Sequence, residues 1–239
     1  MNPTFMLGGE LEIGRLGFGA MRIVRDRAEG VRVVRRAVEL GVTFIDTADI
    51  YGAGVSEKVV AEALHPYPEG LVIGTKGGLG YGLQERVRDG RPEHLRDACD
   101  ASLRRLKLER IDLYTFHRHD PEVPVAESIG ALEELRAEGK IRMIGVSNFS
   151  LPQLRQAQKV TRIVSVQNQY NRGLLVGEDV LDACTEEGIA FMPWAPLGEG
   201  LTRGSAYEIR WLLDRSPVMV PIPGTSRVEH LEANMRAVQ

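Results

Sequence analysis

A chain of 239 residues with a formal net charge of −3 is long enough to bury a large core, and no Pro/Ser-rich linker or charge run divides it, so one domain over residues 1–239 is expected. The mild acidity gives no reason to expect nucleic acid or an anionic membrane as partner, and no apolar run approaches the roughly 20 residues of a membrane-spanning helix. The first residues, Met1-Asn-Pro-Thr-Phe-Met-Leu7, lack the basic stretch, apolar run and cleavage site of a secretory leader. Cys99 and Cys184 fall in helical patterns without a metal-ligand companion, which predicts reduced thiols in a cytoplasmic protein.

In chain order, Phe5 to Ile13 holds two short apolar pieces around Gly8-Gly9, a hairpin pattern. Apolar runs then begin near Leu16, Val42, Leu71, Ile111, Ile141, Ile163, Ile189 and Val218, separated by charged segments with helical spacing. Asp26-Arg-Ala-Glu29 and Ser150-Leu-Pro-Gln153 are capping-box patterns, in which a short side chain takes an orphan amide and the residue three on reaches back. Pro92 suits a first helical turn, where its missing donor costs nothing. Val31, Val34 and Val38 are predicted to form the buried face of the first helix, and Ile129, Leu132 and Leu135 that of the fourth. The strands are near-continuously apolar, as in Val218–Ile222, which suits a parallel sheet covered by helices. Eight such units with a period of about 30 residues predict an α/β fold, a (β/α)8 TIM barrel with a short N-terminal β-hairpin. An open doubly wound sheet is the alternative, but Gly17-Phe-Gly-Ala-Met-Arg22 lacks the three-glycine dinucleotide fingerprint.

Three successive strands end on chemistry. Thr43-Phe-Ile-Asp46 stops on a carboxylate and reaches Tyr51 soon after; Leu71 to Lys76 stops on an ammonium; Ile111 to His117 stops on an imidazole. Singly, Asp46 reads as a loop cap and Tyr51 as an amphipathic core-edge residue. Together they mark the face of the barrel formed by the C-terminal strand ends, where such enzymes carry their sites. His119, in a polar turn, reads as a loop histidine, and Asp112, at the opposite end of its strand, as structural.

With these residues in place, the sequence closely resembles the aldo-keto reductase family. Leu16-Gly-Phe-Gly-Ala-Met21, Phe44-Ile-Asp-Thr-Ala-Asp-Ile-Tyr-Gly52, Gly74-Thr-Lys76, Tyr114-Thr-Phe-His-Arg118, Gly145-Val-Ser-Asn-Phe149, Val166-Gln-Asn-Gln-Tyr170, Ala195-Pro-Leu-Gly198 and Pro221-Ile-Pro-Gly-Thr-Ser226 stand in family order at family spacing. The resemblance implies a (β/α)8 barrel binding NADP(H) across its C-terminal face, with a catalytic tetrad of Asp46, Tyr51, Lys76 and His117. It further implies cofactor contacts from Gly19, Ala20, Met21 and Asp46, from Ser147, Asn148 and Gln167 to a carboxamide, and from Trp194 stacked where the family usually has a tyrosine. Pro196, Leu197 and Gly198 match the pyrophosphate segment. Gly224, Thr225, Arg227 and Asn234 match the adenosine 2′-phosphate and adenine site, where unpaired helix amides and a planar guanidinium suit a phosphate.

The chemistry needs these types. Carbonyl reduction requires a proton at oxygen as hydride reaches carbon. A free phenol, with a pKa of about 10, donates poorly, and a neighbouring lysine ammonium favours its phenolate. Asp46 would hold Lys76 charged, and His117 would donate to the substrate oxygen. The sequence therefore predicts an NADPH-dependent reductase of small aldehydes or ketones. A nucleotide-sensing regulatory subunit of the same type is the alternative, and the number of copies in the assembly is left open. The connections after the first and seventh strands are short for the family. They predict either an open cofactor groove or, as the favoured reading, residues missing near Val24 and Leu201, which would raise the intact mass clearly above 26.5 kDa.

Overall fold

A computed structural model describes residues 3–81, 86–198 and 204–238. Its strands are β1 (Thr4–Leu7), β2 (Leu11–Gly14), β3 (Phe18–Gly19), β4 (Phe44–Asp46), β5 (Val72–Gly77), β6 (Leu79–Tyr81), β7 (Arg86–Arg88), β8 (Ile111–Phe116), β9 (Ile141–Ser147), β10 (Ile163–Gln167) and β11 (Ala190–Phe191). Its helices are α1 (Arg27–Glu39), α2 (Val55–Leu64), α3 (Pro92–Leu106), α4 (Val125–Ala137), α5 (Leu151–Gln158), α6 (Glu178–Glu187), α7 (Ser205–Arg215) and α8 (Val228–Met235). Seven parallel strands run β3-β4-β5-β8-β9-β10-β11, so sequence neighbours are spatial neighbours, as repeated strand–helix units require.

The segment expected as the eighth strand closes this sheet into a (β/α)8 barrel, but without a regular ladder. Phe191 donates its N–H to Val218 O (2.9 Å) and Val220 donates back to Phe191 O (2.8 Å), while Gly17 and Gly19 donate to Pro221 O (3.0 Å) and Pro223 O (3.2 Å). Pro221 and Pro223 have no N–H to return, so the segment bridges β11 and β3 through isolated pairs.

β1 and β2 form the expected antiparallel hairpin, turning at Gly8 and Gly9, both at positive φ. Leu7 and Ile13 are buried with Phe44, Met143, Val164 and Val220, so the hairpin seals the end of the barrel where strands begin. Caps follow the sequence. Asp26 accepts from Glu29 N–H (3.1 Å), Ser150 N–H donates to the Gln153 side chain (2.9 Å), and Pro92 opens α3.

The buried face of α1 needs a correction. It comprises Gly30, Val31, Val33, Val34 and Ala37, and Val38 is only half-buried. Gly30 explains the rotation, since a Cβ there would stand 2.6 Å from Ile23 O, in the 3₁₀ helix Ala20–Val24 that links β3 to α1. In α4, Ile129, Leu132 and Leu135 are buried as expected.

The β6–β7 hairpin between β5 and α3 was not anticipated. The short connection around Leu201 lies outside the described residues. Cys99 and Cys184 are buried and unbonded, and burial pushes both thiols up to about 12. Among the described residues no helix is long and apolar enough to cross a membrane.

Candidate active site

Parallel register sets adjacent strand ends side by side, and four functional groups converge there. Asp46 ends β4 opposite Gly74 of β5, Lys76 follows two residues along β5, and His117 leaves β8 with its N–H on Gly77 O (2.8 Å). Tyr51 reaches the same place from the loop after β4. Gly52, Ala53 and Gly54 all adopt positive φ, which reverses the chain into α2 directly behind the tyrosine.

Lys76 is fully buried, a position tolerated only with partners. Its Nζ donates to Asp46 Oδ2 (2.6 Å), Thr47 O (2.8 Å) and Tyr51 Oη (3.4 Å), and lies 5.0 Å from the Tyr51 ring centroid. Burial alone would lower the Lys76 ammonium; Asp46 and Tyr51 outweigh it and leave the group above the ordinary lysine range. The other Asp46 oxygen accepts from Gln167 Nε2 (3.0 Å). The His117 and Tyr51 rings meet edge to face at 5.9 Å.

A second node adjoins the first. Ser147 Oγ and Asn148 N–H both donate to Gln167 O (2.8 and 3.0 Å); Asn148 Nδ2 donates to Ser147 Oγ (2.9 Å) and His117 O (3.2 Å). Trp194 Nε1 donates to Asn148 Oδ1 (3.2 Å). Seven predicted residues, Asp46, Tyr51, Lys76, His117, Ser147, Asn148 and Gln167, thus share one connected network with Trp194 at its edge.

The other predicted positions lie around the rim. Pro196 is buried, and Gly198 turns at φ 61° above Asn171, whose Nδ2 donates to Ala195 O (3.1 Å). Gly19 and Gly224 pair as backbone neighbours, where a Cβ on Gly19 would stand 2.7 Å from Ile222 O; Ala20 is buried and Met21 exposed. Thr225 Oγ1 accepts from Arg227 N–H (3.1 Å), and Asn234 is buried in α8. Arg227 opens α8 beside a cavity of about 540 Å³ lined also by Arg25, Asp26, Glu29, Ser226 and Glu229.

The parts played by Glu57, Arg105 and Asp49 were not visible in the sequence. Buried Glu57 of α2 accepts from Thr75 Oγ1 (2.6 Å) and pairs with Arg105 of α3, bracing β5 from behind. Asp49 has a buried oxygen without a hydrogen-bond partner; burial first, then the Glu57 charge, raise its carboxyl to about 7. His119 rests edge-on against Phe149, and burial lowers its imidazole. Asp120 and Asp112 are spent on backbone N–H groups.

A family model described as the aldo/keto reductase family matches residues 15–209. The chain belongs to the aldo/keto reductase family. An uncharacterised oxidoreductase of Schizosaccharomyces pombe is 41% identical over 254 aligned positions, covering 96% of this chain and 83% of that protein. Because the alignment is longer than the 239-residue chain, that relative carries insertions relative to this aldo/keto reductase. Pyridoxine 4-dehydrogenase of Escherichia coli K12 is 35% identical, with 98% and 92% covered. A crystal structure of an aldo/keto reductase from Klebsiella pneumoniae in complex with NADP and acetate superposes with a TM-score of 0.84 at 27% identity, covering 100% of this chain and 90% of that one.

Proposed function

We propose that the protein reduces aldehydes or ketones to alcohols with NADPH, Tyr51 serving as proton donor. The observation that carries this reading is the fully buried Lys76 held between the Asp46 carboxylate and the Tyr51 hydroxyl. A buried ion pair of this kind is expensive to maintain for stability alone. Beside a phenol it has a chemical use.

NADPH, when bound, supplies the hydride that adds to the carbonyl carbon. Tyr51 gives its proton to the carbonyl oxygen, and the Lys76 ammonium 3.4 Å away stabilises the phenolate left behind. Asp46 keeps Lys76 charged and fixed. His117 is assigned the second donor to the same oxygen, orienting the carbonyl as negative charge develops.

The donor set suits the cofactor. The Gln167 nitrogen is committed to Asp46 and that of Asn148 to Ser147 and His117. The Gln167 side-chain oxygen therefore stays open to an N–H of a primary amide, as a nicotinamide carries, and Asn148 Oδ1, which already accepts from Trp194 Nε1, has a second lone pair for the same group. Trp194, half-buried, has a ring face to offer. At the far end, Arg227 and Arg25 bring two guanidinium groups to the start of α8, among the carboxylates of Asp26, Glu29 and Glu229, and Arg227 is assigned to a 2′-phosphate. The pyridoxine dehydrogenase among the relatives and the NADP complex of the Klebsiella protein support the same reading.

The decisive measurement is NADPH oxidation against an aldehyde and ketone panel that includes pyridoxal, with NADPH titrated separately by fluorescence. Turnover is expected, and Tyr51→Phe should abolish nearly all of it while NADPH still binds. NADPH binding without turnover of any carbonyl would instead favour a nucleotide sensor.

A further inference from the structure

Asn148 is held more tightly than a ligand-binding amide needs to be. It sits at φ 59°, a left-handed conformation that a non-glycine residue adopts only under local support, asparagine most readily. That support comes from three strand ends. Its N–H goes to Gln167 O, its Nδ2 joins His117 O to Ser147 Oγ, and its Oδ1 receives the Trp194 indole N–H. Trp194 is itself fixed along its backbone, donating to Asn168 O (3.0 Å), and the Asn168 side chain pairs with both backbone groups of Phe149. The indole and the amide are thus presented to each other by two segments that Asn168 also ties together through the backbone.

We propose that Trp194 is a positioning residue for the reaction: its indole N–H orients the Asn148 amide, which in turn holds the backbone of His117. The proposal rests on the reductase reading above. It differs from a stacking role, because stacking uses the ring face whereas this contact uses the ring edge, and only the edge carries the N–H. A phenylalanine keeps a face and loses the donor. In that variant Asn148 Oδ1 loses its fixed partner, the amide is free to turn, and the His117 carbonyl loses a defined donor.

Two measurements test this. The first does not depend on turnover. The chain has two tryptophans, so the indole N–H region of a ¹H–¹⁵N spectrum holds two resonances, assigned with Trp194→Phe and Trp211→Phe. Asn148→Ala should shift the Trp194 resonance and speed its solvent exchange while leaving that of Trp211, whose ring stacks on Tyr170. An unmoved Trp194 resonance overturns the contact. The second is a double-mutant cycle in kcat with the most active carbonyl. Trp194→Phe should lower kcat about tenfold and raise the NADPH Kd by less than that, and should lower kcat no further in the Asn148→Ala background. Multiplying effects, or a loss confined to NADPH binding, would reduce Trp194 to a stacking residue. A parent that binds NADPH but reduces nothing overturns the reductase reading and this role with it, which the parent titration and panel recognise before any variant is made.

Discussion

Two histidines two residues apart leave β8 with different surroundings. His117 faces Tyr51 edge-on, and its carbonyl is held by Asn148; His119 packs on Phe149, with burial keeping its imidazole below the ordinary range and so neutral near pH 7. If His117 supplies the second donor to the substrate oxygen, His117→Ala should lower kcat/KM by about two orders of magnitude, the scale of a lost oxyanion donor. His119→Ala should cost much less; the reverse order in a side-by-side assay would transfer the role. Asp49 gives a prediction in stability. Its carboxyl, facing Glu57, Arg105 and Lys76, is raised to about 7 from an ordinary 3.8. A raised folded pKa means the folded state holds the proton more tightly, so the stability linked to this group is complete below about pH 4 and lost as pH rises through 7. Asp49→Asn should remove that decline and make the variant more stable than the parent at pH 8 by about 2 to 4 kcal/mol. Parallel urea midpoints at pH 5 and pH 8 decide it, and equal pH slopes for the two proteins would show that Asp49 does not titrate there.

At the scale of elements, what the sequence revealed followed periodicity, and what it hid depended on tertiary approach. Capping residues announce themselves locally, so the starts of α1, α3 and α5 were readable from Asp26, Pro92 and Ser150. The apolar face of α1 was misplaced because it is set by the neighbouring 3₁₀ helix closing on Gly30, which no spacing rule contains. The Glu57–Arg105 pair escaped for the same reason, joining α2 to α3 across 48 residues. That Asp46, Tyr51, Lys76 and His117 would meet was legible because parallel strands in register deliver their last residues to one rim; the way Gln167 and Asn148 link to them was not. Gly30 offers a test in which two effects oppose. Alanine gains about 1 kcal/mol over glycine inside a helix, yet its Cβ would press to 2.6 Å on Ile23 O and 3.1 Å on Val59 Cγ1. A backbone oxygen cannot give way without moving the 3₁₀ helix, and overpacking of this kind costs about 1–3 kcal/mol. Gly30→Ala should therefore be net destabilising. A raised melting temperature would show that the 3₁₀ helix yields freely.

Over the whole molecule, a barrel must join its beginning to its end, and here the last barrel segment does so with two prolines that donate nothing. Other bonds must secure the seam. Arg15, next to β2, is buried and reaches across about two hundred residues: Nε donates to Met219 O (3.2 Å), and Nη2 to Leu213 O (2.9 Å) and Ser216 O (2.6 Å). Two of those carbonyls stand at the end of α7, where a cation also meets the negative end of the helix dipole. One side chain thus caps α7 and ties the start of the barrel to its closing segment. Methionine in its place preserves much of the apolar stem but takes the guanidinium donor from Met219 O and Leu213 O, while Ser216 O keeps the Met219 N–H (3.2 Å). An unsatisfied buried polar group costs about 1–3 kcal/mol, and partial relaxation toward water would spare some of it. Arg15→Met should cost about 2–4 kcal/mol, seen as a lower urea midpoint with unchanged slope, because the surface exposed on unfolding stays the same. Arg15→Lys should recover little, since a point ammonium cannot reproduce the planar fork that spans three acceptors. In the absence of urea both variants should keep the parent's kcat, because Arg15 lies by the hairpin at the end of the barrel away from Tyr51 and His117. A loss below about 1 kcal/mol would mean that the backbone pairs of Gly17, Gly19 and Phe191 close the barrel unaided.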